Sequence, residues 1–318
     1  MNSTTEKDLM DVSLPCSFST VYPYVWRLRF QEVYMALGVV FTILALLIVL
    51  KNGITLVTFK RIRSLQTRMN ALLCCLSTLE LLKGLNLFVS VVKVFALAEN
   101  NVLCLANDYI RQSSIFFYSS SLFLLLVICS ERYLAIFYPF RHHIWFTRRT
   151  IILIILLLSV IEIILTALQY FYMFSLGTAF VSTMCIIQIG IHTRLYWRSR
   201  QQRKQIISQH LAVGASTRHL RERKAIKTCL VLLANIFVPY ALVFVFYKFS
   251  LTLESNIGFL MSSILGIIHN ASGCLTPCIL FCTNKSFGVG IRKTLSDLRS
   301  FLQHNLTLKT TNRVAALP

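Results

Sequence analysis

The sequence predicts an all-α membrane protein: a bundle of seven transmembrane helices with a short amphipathic surface helix after the seventh span. Three observations carry this. Of the 318 residues, 56% are hydrophobic and only 14% charged, where a soluble domain carries about a quarter charged. With a mean hydropathy of +0.66, that much apolar surface cannot be hidden under a water-facing shell and belongs in a bilayer. The apolar residues are also gathered into seven long runs separated by polar connections. Finally, the basic residues crowd into alternate connections, as the positive-inside rule requires. A net charge of +20 could point to nucleic acid, but Lys and Arg that alternate with apolar spans point to lipid headgroups instead.

Residues 1–30 form a polar, aromatic-containing extracellular segment. No early apolar stretch ends in a cleavage site, so no signal peptide is expected. Asn2-Ser3-Thr4 is a glycosylation sequon, with Asn2 the candidate acceptor. The bundle occupies 31–283. Its apolar runs are Val33 to Phe59, Met69 to Phe95, Tyr109 to Phe137, Ile151 to Phe171, Phe174 to Tyr196, Ile226 to Phe249 and Ile257 to Cys282. Each reaches the roughly 20 residues that a helix needs to cross the hydrocarbon. Lipid leaves backbone groups no outside partner, so the runs are helices. The fourth and fifth meet at about Tyr172 to Gly177, which makes that outer loop very short.

Orientation follows from charge. Lys60, Arg61, Arg63 and Arg68 hold the first connection, and Arg132, Arg141, Arg148 and Arg149 the third. The fifth and the tail are more basic still, and Glu131, Glu222 and Asp297 are the only acids on that side. The N-terminus is therefore expected outside and the tail inside. Over 284–303, Phe287, Ile291, Leu295, Leu298 and Leu302 recur at helical spacing opposite Lys and Arg, the pattern of a helix lying on the inner leaflet. Residues 304–318 are a polar cytoplasmic tail, expected to be disordered. Most of the ten cysteines lie inside apolar runs as small core residues. Cys16 and Cys104 can meet on the oxidising side and form the candidate disulfide.

Charges inside the spans mark working parts. Glu131-Arg132-Tyr133 closes the third apolar run, with Ile136 and Pro139 following. By itself the acid–arginine pair reads as an arginine snorkelling to the headgroups. At such an interface, pairing of Arg132 with Glu131, or with Glu222 as a weaker candidate, is worth only about a kcal/mol. Arg111, Ser114, Tyr118, Ser121, Leu125, Ile128 and Arg132 recur at three or four residues, one face of a helix. Glu80 and Lys83 are three apart in the second span, close enough to pair. Glu162 and His192 are further midspan ionisable groups: Glu162 faces a helix neighbour or, protonated, lipid, with no specific role assigned, and His192 is read as a helix contact.

Taken together, these residues resemble the rhodopsin-like G-protein-coupled receptors. Glu131-Arg132-Tyr133 is similar to that family's D/E-R-Y signature. Asn52 sits mid-span in the first run. Asn70, Leu73, Leu76, Glu80, Leu81 and Leu82 resemble its N-x-x-L…L-x-x-x-D-L, with Glu for Asp. Phe237-Val238-Pro239-Tyr240 is similar to C-W-x-P-[YF], Thr276-Pro277-x-x-Leu280 to N-P-x-x-Y, and Phe287 opens the surface helix. The fourth span lacks the family Trp and the fifth its Pro, and no cysteine serves the usual bridge to the second outer loop. Short, unbridged outer loops resemble the melanocortin branch. Gly190-Ile191-His192-Thr193-Arg194-Leu195 is closer to adenosine receptors, and the subtype stays open.

The resemblance implies a plasma-membrane receptor for an extracellular ligand. It would activate a heterotrimeric G protein by movement of the sixth helix, with no active site and no cofactor of its own. Its switch would be Glu131, Arg132 and Tyr133. Phe237, Pro239, Thr276 and Pro277 would form the bend and toggle, since proline removes a donor and bends a helix. The ligand pocket would draw on Arg111, Ser114, Tyr118, Tyr240, Phe244, Lys248, His269 and Asn270. Ser114 stands where amine receptors carry an Asp and Asn270 where opsins carry a Lys, which argues against a monoamine receptor and an opsin. Many family members hold sodium midspan. Here Glu80, Ser121, Ser272 and Thr276 offer oxygens, while Lys83 could supply the positive charge instead. Two rivals stand beside this reading. The midspan ionisable groups suggest an ion or proton transporter, although no internal repeat is visible. The degraded sixth- and seventh-span motifs suggest a non-signalling partner of other receptors.

Overall fold

The computed structural model describes residues 31–96, 102–172, 174–208, most of 227–242, residue 246, and residues 255–283, 286–297, 299, 300 and 303. Helices run Gln31–Arg61, Arg68–Ala96, Val102–Phe137, Arg148–Tyr172, Phe174–Ser208 and Ser255–Thr283, and correspond to the first five runs and the seventh. Short pieces of helix between residues 227 and 246 fall in the sixth. Among the described residues, five helices are long and apolar enough to cross a membrane: Met35–Arg61, Asn70–Val92, Phe116–Phe137, Arg149–Ala167 and Ser263–Cys282. No strand occurs among the described residues. Asn2 and Cys16 lie outside the described residues, as do Glu222, Tyr240, Phe244 and Lys248. The side chains of Cys104 and Arg111 do too, although their backbone is helical.

Two helices outrun their apolar runs. The third begins at Val102 rather than Tyr109, and the fifth continues from Tyr196 to Ser208, about 18 Å further at 1.5 Å per residue. Arg, Gln and Lys fill that extension, and these straight-chain residues favour helix as strongly as most apolar ones. Hydropathy marks where lipid ends, not where a helix ends. Between the third and fourth helices the connection folds into a seven-residue helix, Pro139–Trp145, with Pro139 at its first turn. There the missing N–H costs nothing.

Packing is polar inside and apolar outside. Asn52, Ser77, Glu80, Lys83, Ser121, Gln188, His269, Asn270 and Thr276 are buried, while Leu46, Leu50, Leu153, Leu157, Ile163 and Ile164 are exposed. That inversion suits lipid, where association rests on close packing and interhelical hydrogen bonds. Among the five described spans the third and seventh are the most buried, each at 50%, and the fourth is the most peripheral, at 11%. Leu72, Leu76, Leu122, Leu125, Ile128, Ile151, Leu232 and Leu280 form the main core, joining second, third, fourth, sixth and seventh segments. A Cβ on Gly84 would come within 2.8 Å of Ile48 Cγ2, so the first and second helices approach closely there.

Residues 286–297 are helical. Their buried seam differs from the predicted apolar face. Phe287 is fully buried against Leu65, Cys74, Leu56, Phe59 and Ile62. Gly290 and Thr294 continue the seam, and the Thr58 hydroxyl donates to Thr294 Oγ1 at 3.2 Å. Leu295 is 43% exposed. Small residues win here because they let the segment lie flush on the first helix. A Cβ on Gly290 would sit 2.7 Å from Ile62 Cδ1 and 2.9 Å from Thr58 Cγ2. Gly290→Val is expected to overpack this seam, at about 1–3 kcal/mol. A lowered thermal midpoint of the purified protein is the measurement, with exposed Val289→Ala as the control; equal midpoints for both variants would refute the flush contact.

Candidate functional site

Two polar clusters stand on the buried face of the third helix, one midspan and one at its C-terminal end. The midspan cluster begins with Glu80 and Lys83. They form an ion pair, with side chains 1% and 4% exposed. Ser121 of the third helix donates to Glu80 Oε1 at 3.2 Å. The Lys83 ammonium lies 5.3 Å from the centre of the Tyr118 ring, within cation–π range. Tyr118 donates to Asn270 Oδ1 at 3.2 Å, and its ring meets that of His269 edge-on, with centroids 3.9 Å apart.

The seventh helix is fitted around this pair. A Cβ on Gly273 would fall 2.6 Å from Glu80 Oε2 and 3.3 Å from Lys83 Nζ, so glycine is what admits the ion pair. Pro277 lies inside the same helix and cannot donate to the carbonyl four residues back, that of Gly273. Asn52 Nδ2 supplies that bond from the first helix at 3.2 Å. Asn235 of the sixth segment donates to Ser272 O at 2.9 Å and Thr276 Oγ1 at 3.2 Å. Ser272 Oγ donates to His269 O at 2.7 Å. Phe237 packs half-buried against the main core and Pro239 is buried.

Among the predicted pocket residues, the structure thus brings Tyr118, His269 and Asn270 together beside Lys83. Ser114 stands apart, hydrogen-bonded to Asn86, whose Nδ2 lies 2.8 Å from its hydroxyl; Ser113 donates to Asn86 Oδ1 at 2.8 Å. Asn86 was not among the predicted site residues. It extends the stripe of Glu80 and Lys83 by another three residues, and following that stripe one turn further finds it.

At the C-terminal end of the third helix, Arg132 clamps Glu131 in two-pronged fashion, through Nε to Oε2 and through Nη2 to Oε1, the latter at 2.7 Å. The Glu131 side chain is 3% exposed and that of Arg132 19%. His142, on the short Pro139–Trp145 helix, places Nε2 3.0 Å from Glu131 Oε1 and stacks on Phe146. Tyr133 stacks on Phe137 with centroids 4.5 Å apart. His142 carries no signal in sequence, because its contact depends on how the Pro139 helix folds back. Elsewhere, Glu162 accepts from Ser119 at 2.6 Å. His192 places Nδ1 2.8 Å from Gln188 O and Nε2 3.2 Å from Cys129 Sγ. Among the described residues, no group of three or more His, Cys, Asp or Glu could hold a metal ion.

Comparison with known proteins bears on this arrangement. Residues 51–200, just under half of the chain, match the family described as 7 transmembrane receptor (rhodopsin family). The matched stretch includes Glu80, Lys83, Ser121 and the Glu131–Arg132 clamp. No curated protein matches the chain. By its apolar helices the chain is a multi-pass membrane protein, and over residues 51–200 it is similar to the rhodopsin-like receptors, with no subtype assigned.

Proposed function

We propose that this protein is a plasma-membrane receptor, N-terminus outside, that binds an extracellular ligand and activates a heterotrimeric G protein. The observation that carries the reading is the inner clamp. Arg132 is held by a buried carboxylate on its own helix, and a partner entering from the cytoplasmic side can take that guanidinium over. Ligand binding favours the state in which the sixth segment, bent at Pro239, swings outward at its inner end. The shift equals the ligand's differential affinity for the two states. Tyr118, His269 and Asn270 line the ligand pocket, and Arg111, Ser114, Tyr240, Phe244 and Lys248 are the further pocket residues that the family resemblance implies. The basic inner connections meet the G protein and anionic lipid. The protein acts by binding alone and has no active site of its own.

A transporter reading draws on the same buried Glu80, Lys83, Glu162 and His192, and a non-signalling partner on the altered sixth- and seventh-span motifs. The test is nucleotide exchange on purified G proteins of each class by the receptor in nanodiscs, screened against ligand libraries. Ion flux in vesicles lacking G protein supports the transporter instead. Absence of both activities supports the non-signalling partner.

His142 gives a finer check. His142→Phe keeps an aromatic ring against Phe146 but loses the bond to Glu131, worth about 0.5–1.5 kcal/mol. The clamp then opens more readily, and ligand-independent exchange is expected to rise by roughly two- to tenfold. Unchanged basal exchange would separate His142 from the switch.

A further inference from the structure

A cavity of about 240 Å³ opens between the second, third and fourth helices, outside the two clusters described above. Leu79, Phe123 and Leu158 give it apolar walls, and Thr78, Ser159 and Glu162 also line it. Thr78 and Ser159 satisfy their hydroxyls within their own helices, donating to Cys74 O at 3.0 Å and Ile155 O at 2.9 Å. Glu162 is different. It is 2% exposed, and Oε2 accepts from Ser119 at 2.6 Å, but Oε1 is buried with no hydrogen-bond partner among the described residues. A buried polar atom left this way costs about 1–3 kcal/mol. Around it the fourth helix turns Val160, Ile163 and Ile164 outward, exposed as a lipid-facing surface is. The unmet acceptor therefore borders a space that a membrane-dissolved molecule can reach.

We propose that this cavity binds a single-chain amphiphile whose uncharged head bears a hydroxyl, with the hydroxyl donating to Glu162 Oε1. Polarity, size and depth select that chemistry. Glu162 lies five residues from the Ala167 end of its span, roughly 7–8 Å at 1.5 Å per residue. A head there would sit just inside one leaflet, with its chain directed along the apolar walls toward the middle of the membrane. The volume of about 240 Å³ is well above the roughly 10–15 Å³ that one water needs by the same measure, so the space admits a narrow chain. An uncharged head suits this depth because a charge within the hydrocarbon is costly.

The test uses the full-length protein in nanodiscs of phosphatidylcholine and a monoacylglycerol with a photoreactive group in its chain. Labelling is expected to saturate, to map to the segments around Leu79, Phe123 and Leu158, and to be competed by plain monoacylglycerol. Glu162→Leu should cut it at least tenfold, while Glu162→Gln, which keeps an acceptor, should retain it. Ser159→Leu fills the cavity without touching the Glu162–Ser119 bond and should also abolish labelling; it carries the test if Glu162→Leu fails to fold. Labelling that is unsaturable, or retained in Ser159→Leu, would overturn the site. A chain amine that competes at least tenfold better than monoacylglycerol would overturn the hydroxyl chemistry, and a photoreactive sterol that labels in its place would overturn the single-chain assignment. None of these readouts depends on G-protein signalling.

Discussion

Arg132→Ala is expected to abolish ligand-driven nucleotide exchange while leaving surface expression and ligand binding near wild type. The argument starts from burial. An exposed ion pair contributes about 0–1 kcal/mol, and the sequence-based expectation of about a kcal/mol places both partners at the interface. The structure instead buries the carboxylate, at 3% exposure, and adds His142 to it. Hydrogen bonds to charged groups then reach about 1.5–3 kcal/mol, so the resting clamp is stronger than adjacency alone suggests. Glu131→Gln removes the charge that holds Arg132. It is expected to raise basal exchange about tenfold or more, at roughly 1.4 kcal/mol per factor of ten. In the proposed mechanism Arg132 is the group exchanged between resting and active partners, so Arg132→Ala is expected to lose output rather than raise it. Arg132→Lys should be intermediate at best, since an ammonium cannot reproduce the two-pronged geometry. Full signalling from an Arg132→Ala receptor at the cell surface would sink the mechanism.

The contrast between Glu131 and His142 marks how far the sequence can be read. Glu131 and Arg132 are neighbours, and Glu80 and Lys83 share a helix face, so both pairs follow from spacing. The membrane-crossing runs are legible for a similar reason, because lipid imposes length and apolarity on each helix separately. Contacts between helices are another matter. Helices apolar on most sides have no periodicity to show which face meets which neighbour. Asn52 reaching the Gly273 carbonyl that Pro277 leaves open joins residues more than 200 positions apart, and Asn235 on Ser272 and Thr276 is of the same kind. The seam of the segment after the seventh helix differs from its apolar stripe for a related reason. Close approach selects Gly290 and Thr294 over Leu295, and only the position of the first helix reveals that.

The midspan pair supplies the second large effect. Lys83→Leu is expected to lower the thermal midpoint steeply in potassium chloride and to recover part of the loss in sodium chloride. Glu80 and Lys83 are almost wholly buried. Removing one member of a buried pair leaves an uncompensated charge and costs about 3–5 kcal/mol. Replacing both members by apolar groups of similar volume is close to neutral. The double variant Glu80→Met with Lys83→Met is therefore expected to regain most of the stability, since two unbranched thioethers can follow the original side chains past Gly273. Sodium enters through what Lys83→Leu leaves behind. Glu80 keeps the Ser121 hydroxyl at 3.2 Å, and buried Ser272 and Thr276 lie across on the seventh helix. A small cation could replace the missing ammonium among these oxygens. In the unmodified protein the ammonium already neutralises the carboxylate, so exchanging sodium for potassium at constant ionic strength should leave both midpoint and ligand affinity unchanged. A strong sodium effect on the unmodified receptor, lost in Glu80→Ala, would show that the pocket still takes the ion and that Lys83 does not replace it.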